Sequence, residues 1–343
     1  MSKRIVFFNH KGGVSKTTTV YNIGWKLAEK SRVLIIDGDP QCNLTSLILK
    51  DKFEEYYTLE DTKTQNIKDG VSPAFSGSPT LISKVVCPTA RRNSSLFLLA
   101  GHANLSEYDA SLTFAQTANN ALATLQNLPG AFSTLIEQCE TEYNIDYTLI
   151  DLNPGLSAIN QNLFLNSDYF IIPTNPDPFS IMALETLSNI LPRWGNWKNS
   201  SFESFSESAY KLREGLPKFI GILTQRFNVR NGKAAKPYRE NIDEIKTTTR
   251  NLLVPKLKKA DMLLDNKKYS RNLISNSYCL AETPDFGGLL PKAFDAGVPV
   301  FALTPDDIRE TGPILEGLKN KSNQLNNIFT DTSDLIMEMT SDE

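Results

Sequence analysis

Eleven residues near the start of the chain, Asn9 to Thr19 (NHKGGVSKTTT), have the types and spacing needed to hold a phosphate chain. Gly12 and Gly13 let the backbone curl around an anion. The residues after them begin a helical pattern, whose first N–H groups and positive dipole end favour negative charge. Lys16 would bring charge to the β- and γ-phosphates, and the Thr17 hydroxyl could ligate Mg²⁺. The loop follows a short apolar run, Ile5-Val6-Phe7-Phe8, so it lies where a strand turns into a helix.

Two further apolar runs end in acids. Val33–Ile36 leads into Asp37-Gly38-Asp39-Pro40-Gln41, with Asn43 and Thr45 beyond, and Tyr147–Ile150 leads into Asp151-Leu152-Asn153-Pro154-Gly155. Short continuous apolar runs read as buried parallel strands. Ligands of open α/β sheets sit outside the carboxyl ends of such strands. Asp37, Asp39 and Asp151 are therefore expected at one edge, beside the phosphate loop. A lone D-x-D, or one strand-end acid, is an ordinary surface feature. Three such acids behind a phosphate loop mark a site.

The general pattern G-x-x-x-x-G-K-[ST] would place glycines at His10 and Ser15, and an extra lysine, Lys11, heads the loop instead. That arrangement resembles the deviant Walker A motif, K-G-G-x-x-K-[ST], of the ParA/MinD family of dimeric ATPases. The D-x-D-P-Q segment is similar to the family's second acidic motif, and Asp151 looks like its Walker B acid. The resemblance implies that Gly12, Gly13, Val14, Ser15, Lys16, Thr17 and Thr18 bind ATP. It makes Lys11, Lys16 and Asp39 the catalytic set: Lys11 reaches across a homodimer to the partner's nucleotide, and Asp39 orients the attacking water. Thr17, Asp37 and Asp151 would serve Mg²⁺. Most members have glycine at the position of Ser15 and two prolines after the Walker B acid, where Asn153 stands first here.

Strands are expected at Arg4–Asn9, Val33–Asp37, Ser95–Ala100, Tyr147–Asp151, Tyr169–Pro173, Phe219–Leu223 and Val300–Leu303. Helical patterns cover Thr17–Lys30, Gln116–Tyr143 (broken at Pro129-Gly130, hence two helices), Ser180–Leu191 and Asp306–Phe329. This alternation predicts an α/β fold: a doubly wound, mostly parallel sheet flanked by helices, as in P-loop NTPases. Residues 1–329 read as a single domain, with insertions at about 53–88 and 196–207, and 330–343 as an acidic tail. The family resemblance covers most of the chain in order and is weakest from Thr224 to Glu282.

The 343 residues, 40% apolar and 22% charged, are ordinary for a globular protein. No run approaches the roughly 20 apolar residues of a membrane span. Met1-Ser2-Lys3-Arg4 leads directly into the first strand, with no expected signal peptide or helix-turn-helix extension. Ser2 stands where myristoylation needs glycine. The four cysteines are widely spaced and none follows the Walker B acid, which argues against structural zinc or an iron–sulfur cluster. They read as buried thiols.

Net charge is only −3, yet residues 226–271 carry 13 Lys/Arg against 5 Asp/Glu. Such asymmetry predicts an electropositive face on an acidic body. One group is loop-like: Arg226, Arg230, Lys233, Lys236 and Arg239, of which Arg226 could instead serve the nucleotide. The other runs through Lys256, Lys258, Lys259, Lys267, Lys268 and Arg271, with Leu257, Ala260 and Leu264 at helical spacing beneath. Lysines over an apolar stripe suit phosphate-backbone contact. The family resemblance adds non-specific DNA binding by the ATP-bound dimer, slow hydrolysis and an activating partner protein. Residues 330–343 have five acids and no Lys or Arg, so an anionic membrane would repel them. The expected setting is cytoplasmic and nucleoid-associated. A regulator that switches a protein effector with ATP, without touching DNA, would need the same site.

Overall fold

The computed structural model describes residues 2–117, 125–230 and 233–341. Its centre is an eight-stranded sheet of β1 (Lys3–Phe7), β2 (Val33–Gly38), β3 (Thr89–Ala90), β4 (Asn93–Leu99), β5 (Tyr147–Leu152), β6 (Tyr169–Thr174), β7 (Lys218–Phe227) and β10 (Cys279–Pro284). A small hairpin, β8 (Val229–Arg230) with β9 (Lys233–Ala234), stands apart. The spatial order is β10-β7-β6-β1-β5-β2-β4-β3, and only β3 runs antiparallel to its neighbour.

Fourteen α-helices occur among the described residues. α1 (Lys16–Leu27) and α2 (Asn43–Leu49) follow β1 and β2, while α3 (Phe53–Tyr56) and α4 (Ile67–Phe75) precede β3. α5 (Asp109–Thr117) and α6 (Leu128–Glu142) join β4 to β5, and α7 (Ala158–Leu165) and α8 (Pro178–Ser201) follow β5 and β6. α9 (Lys236–Thr248), α10 (Val254–Lys259) and α11 (Arg271–Ser275) lead to β10; α12 (Leu289–Ala296), α13 (Pro305–Ile308) and α14 (Gly312–Thr340) end the chain. Strand alternation sends Val6 and Phe8 into one core layer with α6, α7 and α8. Ile5 and Phe7 enter the other, with α1 and α14. Both faces of the sheet are thus covered, which is why its central strands read as unbroken apolar runs.

Six expected strands are present, with shifted ends. The seventh, Val300–Leu303, is a turn: Gly297 caps α12 with φ 63°, and Ala302 N–H donates to the Pro299 carbonyl. Val298 and Val300 are buried there as loop residues. The strand that ends the sheet beside β7 is β10, whose half-exposed residues gave no apolar run. Pro129 lies in the first turn of α6, so the expected break is a helix start; residues 118–124 lie outside the described set.

One loop expectation and one boundary need correction. Residues 196–201 continue α8, because the stripe Leu184-Leu187-Leu191-Trp194 carries the helix past Pro192 and Gly195. The 53–88 stretch holds α3 and α4, with α4 packed on α6. No break falls at residue 330: α14 runs to Thr340 with Phe329, Ile336 and Met339 buried, and its acids Asp331, Asp334 and Glu338 lie on the exposed face. No helix among the described residues is long and apolar enough to cross a membrane.

The single electropositive face is also corrected. Arg226 ends β7 at the carboxyl edge of the sheet and donates to the Gly13 carbonyl at 3.3 Å, and Lys236 starts α9 nearby. α10 instead delivers Lys258 and Lys259 to the amino edge: Lys218, the first residue of β7, pairs with Asp261 at 3.0 Å, and Phe219 bridges Leu263. Lys268 reaches the Ser341 carbonyl, beside Thr340, whose hydroxyl meets Tyr147 at the start of β5. The two basic groups therefore occupy opposite ends of the sheet. Nor does one helix underlie the second group, since α10 stops at Lys259 and Asp261 takes φ 54°.

Candidate nucleotide site

The phosphate loop leaves β1 at Phe8 and is pinned from β6 and β7. Asn9 donates from Nδ2 to the Pro173 carbonyl (2.9 Å), and its Oδ1 accepts from the Lys11 N–H (3.0 Å). Asn175 Nδ2 donates to the Gly13 carbonyl at 2.8 Å, and Gln225 Nε2 to the Val14 carbonyl at 3.3 Å. Gly13 takes φ 73° and Ser15 takes φ 59°. That left-handed position explains the glycine common in similar loops; a residue with a Cβ pays roughly 1–2 kcal/mol there. Ser15 makes no side-chain cap to α1, so the first N–H groups of the helix remain available to an anion.

Both lysines are placed by this loop, in different directions. Lys16 is buried and folds over the loop, its Nζ 3.1 Å from the Asn9 carbonyl and 3.3 Å from that of Lys11. Burial lowers its pKa, opposed by Asp151 and Asp39. Lys11 points away and pairs with Asp177 at 2.9 Å, both side chains partly exposed. Asp177 also caps α8 by accepting from the Ser180 N–H.

The acids close the floor. Asp37 and Asp151 sit opposite each other on β2 and β5. Asp37 is fully buried, accepts from the Thr45 N–H (2.8 Å) and hydroxyl (2.7 Å), and is pushed up to about 6 by burial. Asp151 is 1% exposed, and neither of its oxygens has a hydrogen-bond partner. Burial, reinforced by Asp37, pushes its carboxyl up to about 8, with the Thr17 hydroxyl and Lys16 opposing. Two buried carboxyl groups side by side, one without partners, beside the Thr17 hydroxyl are a donor set that fits a hard divalent cation. Asp39 lies at the rim, 8% exposed, its Oδ1 accepting from the Gln41 N–H.

Beyond the loop opens a cleft of about 820 Å³, within the range of small-molecule sites. Gly13, Val14, Ser15, Lys16, Thr17, Thr18 and Asp39 line it, together with Tyr21, Gln225, Arg226, Phe286 and Phe294. Seven of the expected site residues thus converge, whereas Lys11, Gly12, Asp37 and Asp151 are not among the residues that line the cleft. Arg226, at φ 62°, is held against Gly13. Asn175, Asp177 and Gln225 were not expected; each follows or sits near a strand end, and that position was their only signal in the sequence.

A doubly wound parallel sheet whose first strand turns through K-G-G-x-x-K-T into a helix defines a ParA-like P-loop ATPase. The chain belongs to the AAA_31 family, whose model, described as an AAA domain, matches residues 2–204. An uncharacterised protein of Methanocaldococcus jannaschii is 32% identical over 52% of this chain and 61% of its own length. The virulence plasmid ParA family protein pGP5-D of Chlamydia psittaci is 26% identical over 57% and 65%. The chain therefore spans under two thirds of these relatives. Among solved structures, a Corynebacterium diphtheriae protein, DIP2308, shares the fold with TM-score 0.65 at 22% identity, over 86% of this chain and 97% of that one. An ATP complex of McdA from Cyanothece superposes with TM-score 0.56 at 18% identity, over 94% and 96%.

Proposed function

We propose that this protein is a dimerising ATP switch of ParA type, which hydrolyses ATP slowly and binds DNA non-specifically to partition or position plasmid, chromosome or other cargo. The observation that carries the reading is the divergence of the two loop lysines. Lys16 covers its own loop, while Lys11 faces outward to Asp177. A lysine so placed serves a second molecule better than its own nucleotide. Exposed Leu156, Phe179 and Met182 follow the Walker B acid and begin α8, close to Asp177 in sequence, and supply apolar surface for such a contact. The ATP-bound McdA, an AMPPNP-bound putative plasmid partition protein of Borrelia burgdorferi and the plasmid ParA family relatives support nucleotide binding and this biological class.

In this reading Lys16 and the loop N–H groups neutralise the phosphates of ATP, and Asp39 orients water toward the terminal phosphorus. Mg²⁺, held by Thr17 with Asp37 and Asp151, would supply further charge neutralisation at the phosphate oxygens. Lys11 from a second copy would stabilise charge growing on the leaving group, so hydrolysis waits for assembly. The phosphate positions of Gly12, Gly13, Val14, Ser15 and Thr18 follow from the same pose. Hydrolysis would be weak alone and raised by a partner protein, and the setting is cytoplasmic, on the nucleoid.

Sedimentation, ATP turnover and binding to a random-sequence duplex, each with ATP, ADP or no nucleotide, test the proposal together. ATP-dependent dimers and DNA binding are expected, with Lys11→Ala losing dimers and hydrolysis. A Lys11→Ala protein that keeps both would sink the trans-lysine mechanism. Dimers without DNA binding would favour the second reading, an ATP-switched regulator of a protein effector.

A further inference from the structure

Buried polar atoms without hydrogen-bond partners are rare in folded proteins, and each calls for a reason. Eight such side-chain atoms occur among the described residues, and only Ser333 Oγ lies away from the phosphate end. The other seven are His10 Nδ1, Asn22 Oδ1, both oxygens of Asp151, Asn153 Oδ1, Asn160 Oδ1 and Asn175 Oδ1. Four of these seven are amide oxygens that only accept, and the two oxygens of Asp151 join them once its proton leaves. The phosphates of ATP are acceptors as well, so the nucleotide's own phosphate oxygens would meet this cluster with like polarity. What satisfies acceptors beside a phosphate chain is a cation and the hydrogens of its bound water. Mg²⁺ in particular keeps several waters when it binds through one or two carboxylates and phosphate.

His10 and Asn153 leave neighbouring strands. Phe7 of β1 pairs with Asp151 of β5, so the chain three residues past Phe7 runs beside the chain two residues past Asp151. The two loops stay in contact, since a Cβ at Gly12 would lie 3.8 Å from Pro154. Asn160 Nδ2 donates to the carbonyls of Asn153 and Gly155, each at 3.1 Å, which fixes the backbone that carries the Asn153 amide. A proline at this position would offer no side-chain acceptor. Burial and the nearby Lys16 lower the His10 pKa, which favours the neutral imidazole, whose Nδ1 accepts when the ring proton sits on Nε2.

We propose that Asn153 Oδ1 and His10 Nδ1 are outer-sphere ligands of the nucleotide's metal, accepting hydrogen bonds from water bound to a Mg²⁺ whose nearer protein partners are Thr17 and Asp151. The inference rests on the ATPase reading and assigns the metal's second shell to two residues of the loops that follow β1 and β5. Losing such a partner costs about 10–100-fold in metal affinity.

Mn²⁺ serves as probe, its binding to the ATP-loaded full chain followed by electron paramagnetic resonance. Calorimetry gives ATP affinity in EDTA alongside. Asn153→Ala and Asn153→Pro should each weaken Mn²⁺ binding about 10-fold, His10→Ala should shift it in the same direction, and ATP affinity in EDTA should not change. Asn153→Asp, which keeps an acceptor, should retain Mn²⁺ binding. Equal Mn²⁺ affinity in wild type, Asn153→Ala and Asn153→Pro would overturn the inference while leaving the ATPase reading in place. A loss of metal-free ATP affinity would overturn it too, by making Asn153 a direct nucleotide contact. A wild-type chain that binds no ATP under any condition would remove the ATPase reading and this inference together.

Discussion

The two edges of the sheet bury charge to opposite ends. At the amino edge Arg4, fully buried, makes a two-pronged pair with Glu140 (2.8 and 2.7 Å) and further bonds to Ser133 and the Asn166 carbonyl. Glu140 also accepts from Thr148, Arg213 grips Asp168 at 2.7 and 2.8 Å, and buried Lys198 donates to the Leu165 carbonyl. Each of these buried charges has partners within the chain. At the carboxyl edge Asp151 is just as buried and has none. Burial alone therefore does not mark a functional group. A satisfied network fixes the fold, whereas acceptors left open at one end of the same strands are set for a ligand.

Breaking the closed edge should cost most. Glu140→Ala strands the Arg4 guanidinium in the core, and removing one partner of a buried pair typically costs about 3–5 kcal/mol. Urea denaturation measures it, and ATP affinity of the protein that remains folded should match wild type. A loss under about 1 kcal/mol would mean that water reaches Arg4, and the contrast between the edges would fail.

The open edge should respond with the opposite sign. Unfolded aspartates ionise near pH 4, while Asp37 and Asp151 hold protons up to about 6 and about 8 in the fold, chiefly through burial. Their contribution to the ligand-free protein is thus complete below about pH 4 and is lost as pH rises through the folded values. Asp151→Asn removes the upper part of that loss. In EDTA at about pH 8 the variant should be more stable by roughly 1–3 kcal/mol, the scale of one unmade buried contact. The gain should vanish near pH 4, and denaturation at several pH values checks this. A variant less stable than wild type at about pH 8 would show that Asp151 is satisfied within the chain.

How legible each edge was in sequence follows from the same contrast. β1, β2, β5 and β6 announced themselves because strands covered on both faces are continuous apolar runs. Their terminal acids and the K-G-G-x-x-K-T spacing marked the carboxyl edge, since local chemistry at a strand end needs no knowledge of partners. The Arg4–Glu140 pair gave no such signal: two ordinary charged residues meet only when β1 and α6 pack. Asn175 and Gln225 likewise act on the phosphate loop across the fold. β10 was missed because an edge strand lacks a buried face on both sides, and the last turns of α14 because their acids hide an apolar stripe.

The basic residues give the smallest effect and the sharpest use of the comparison. Most of them are already engaged: Arg239 and Lys246 with Glu282, Lys256 with Ser188 and Asn189, Lys268 with the Ser341 carbonyl. Lys236, 90% exposed, has Glu240 within 3.9 Å. Lys258, Lys259 and Lys267, by contrast, are exposed and engage no acid or acceptor among the described residues. If DNA lies along the amino edge, Lys258→Glu/Lys259→Glu should flatten the dependence of binding on salt by about one unit of slope per lost phosphate contact. Lys236→Glu should leave that slope nearly unchanged. Because those lysines are separated from the phosphate loop by the length of the strands, ATP would then act on DNA affinity by pairing two copies, not by touching the DNA-binding surface. A slope that responds to Lys236 and ignores Lys258 and Lys259 would reverse the assignment and bring DNA to the nucleotide edge, where ATP itself could order the contact.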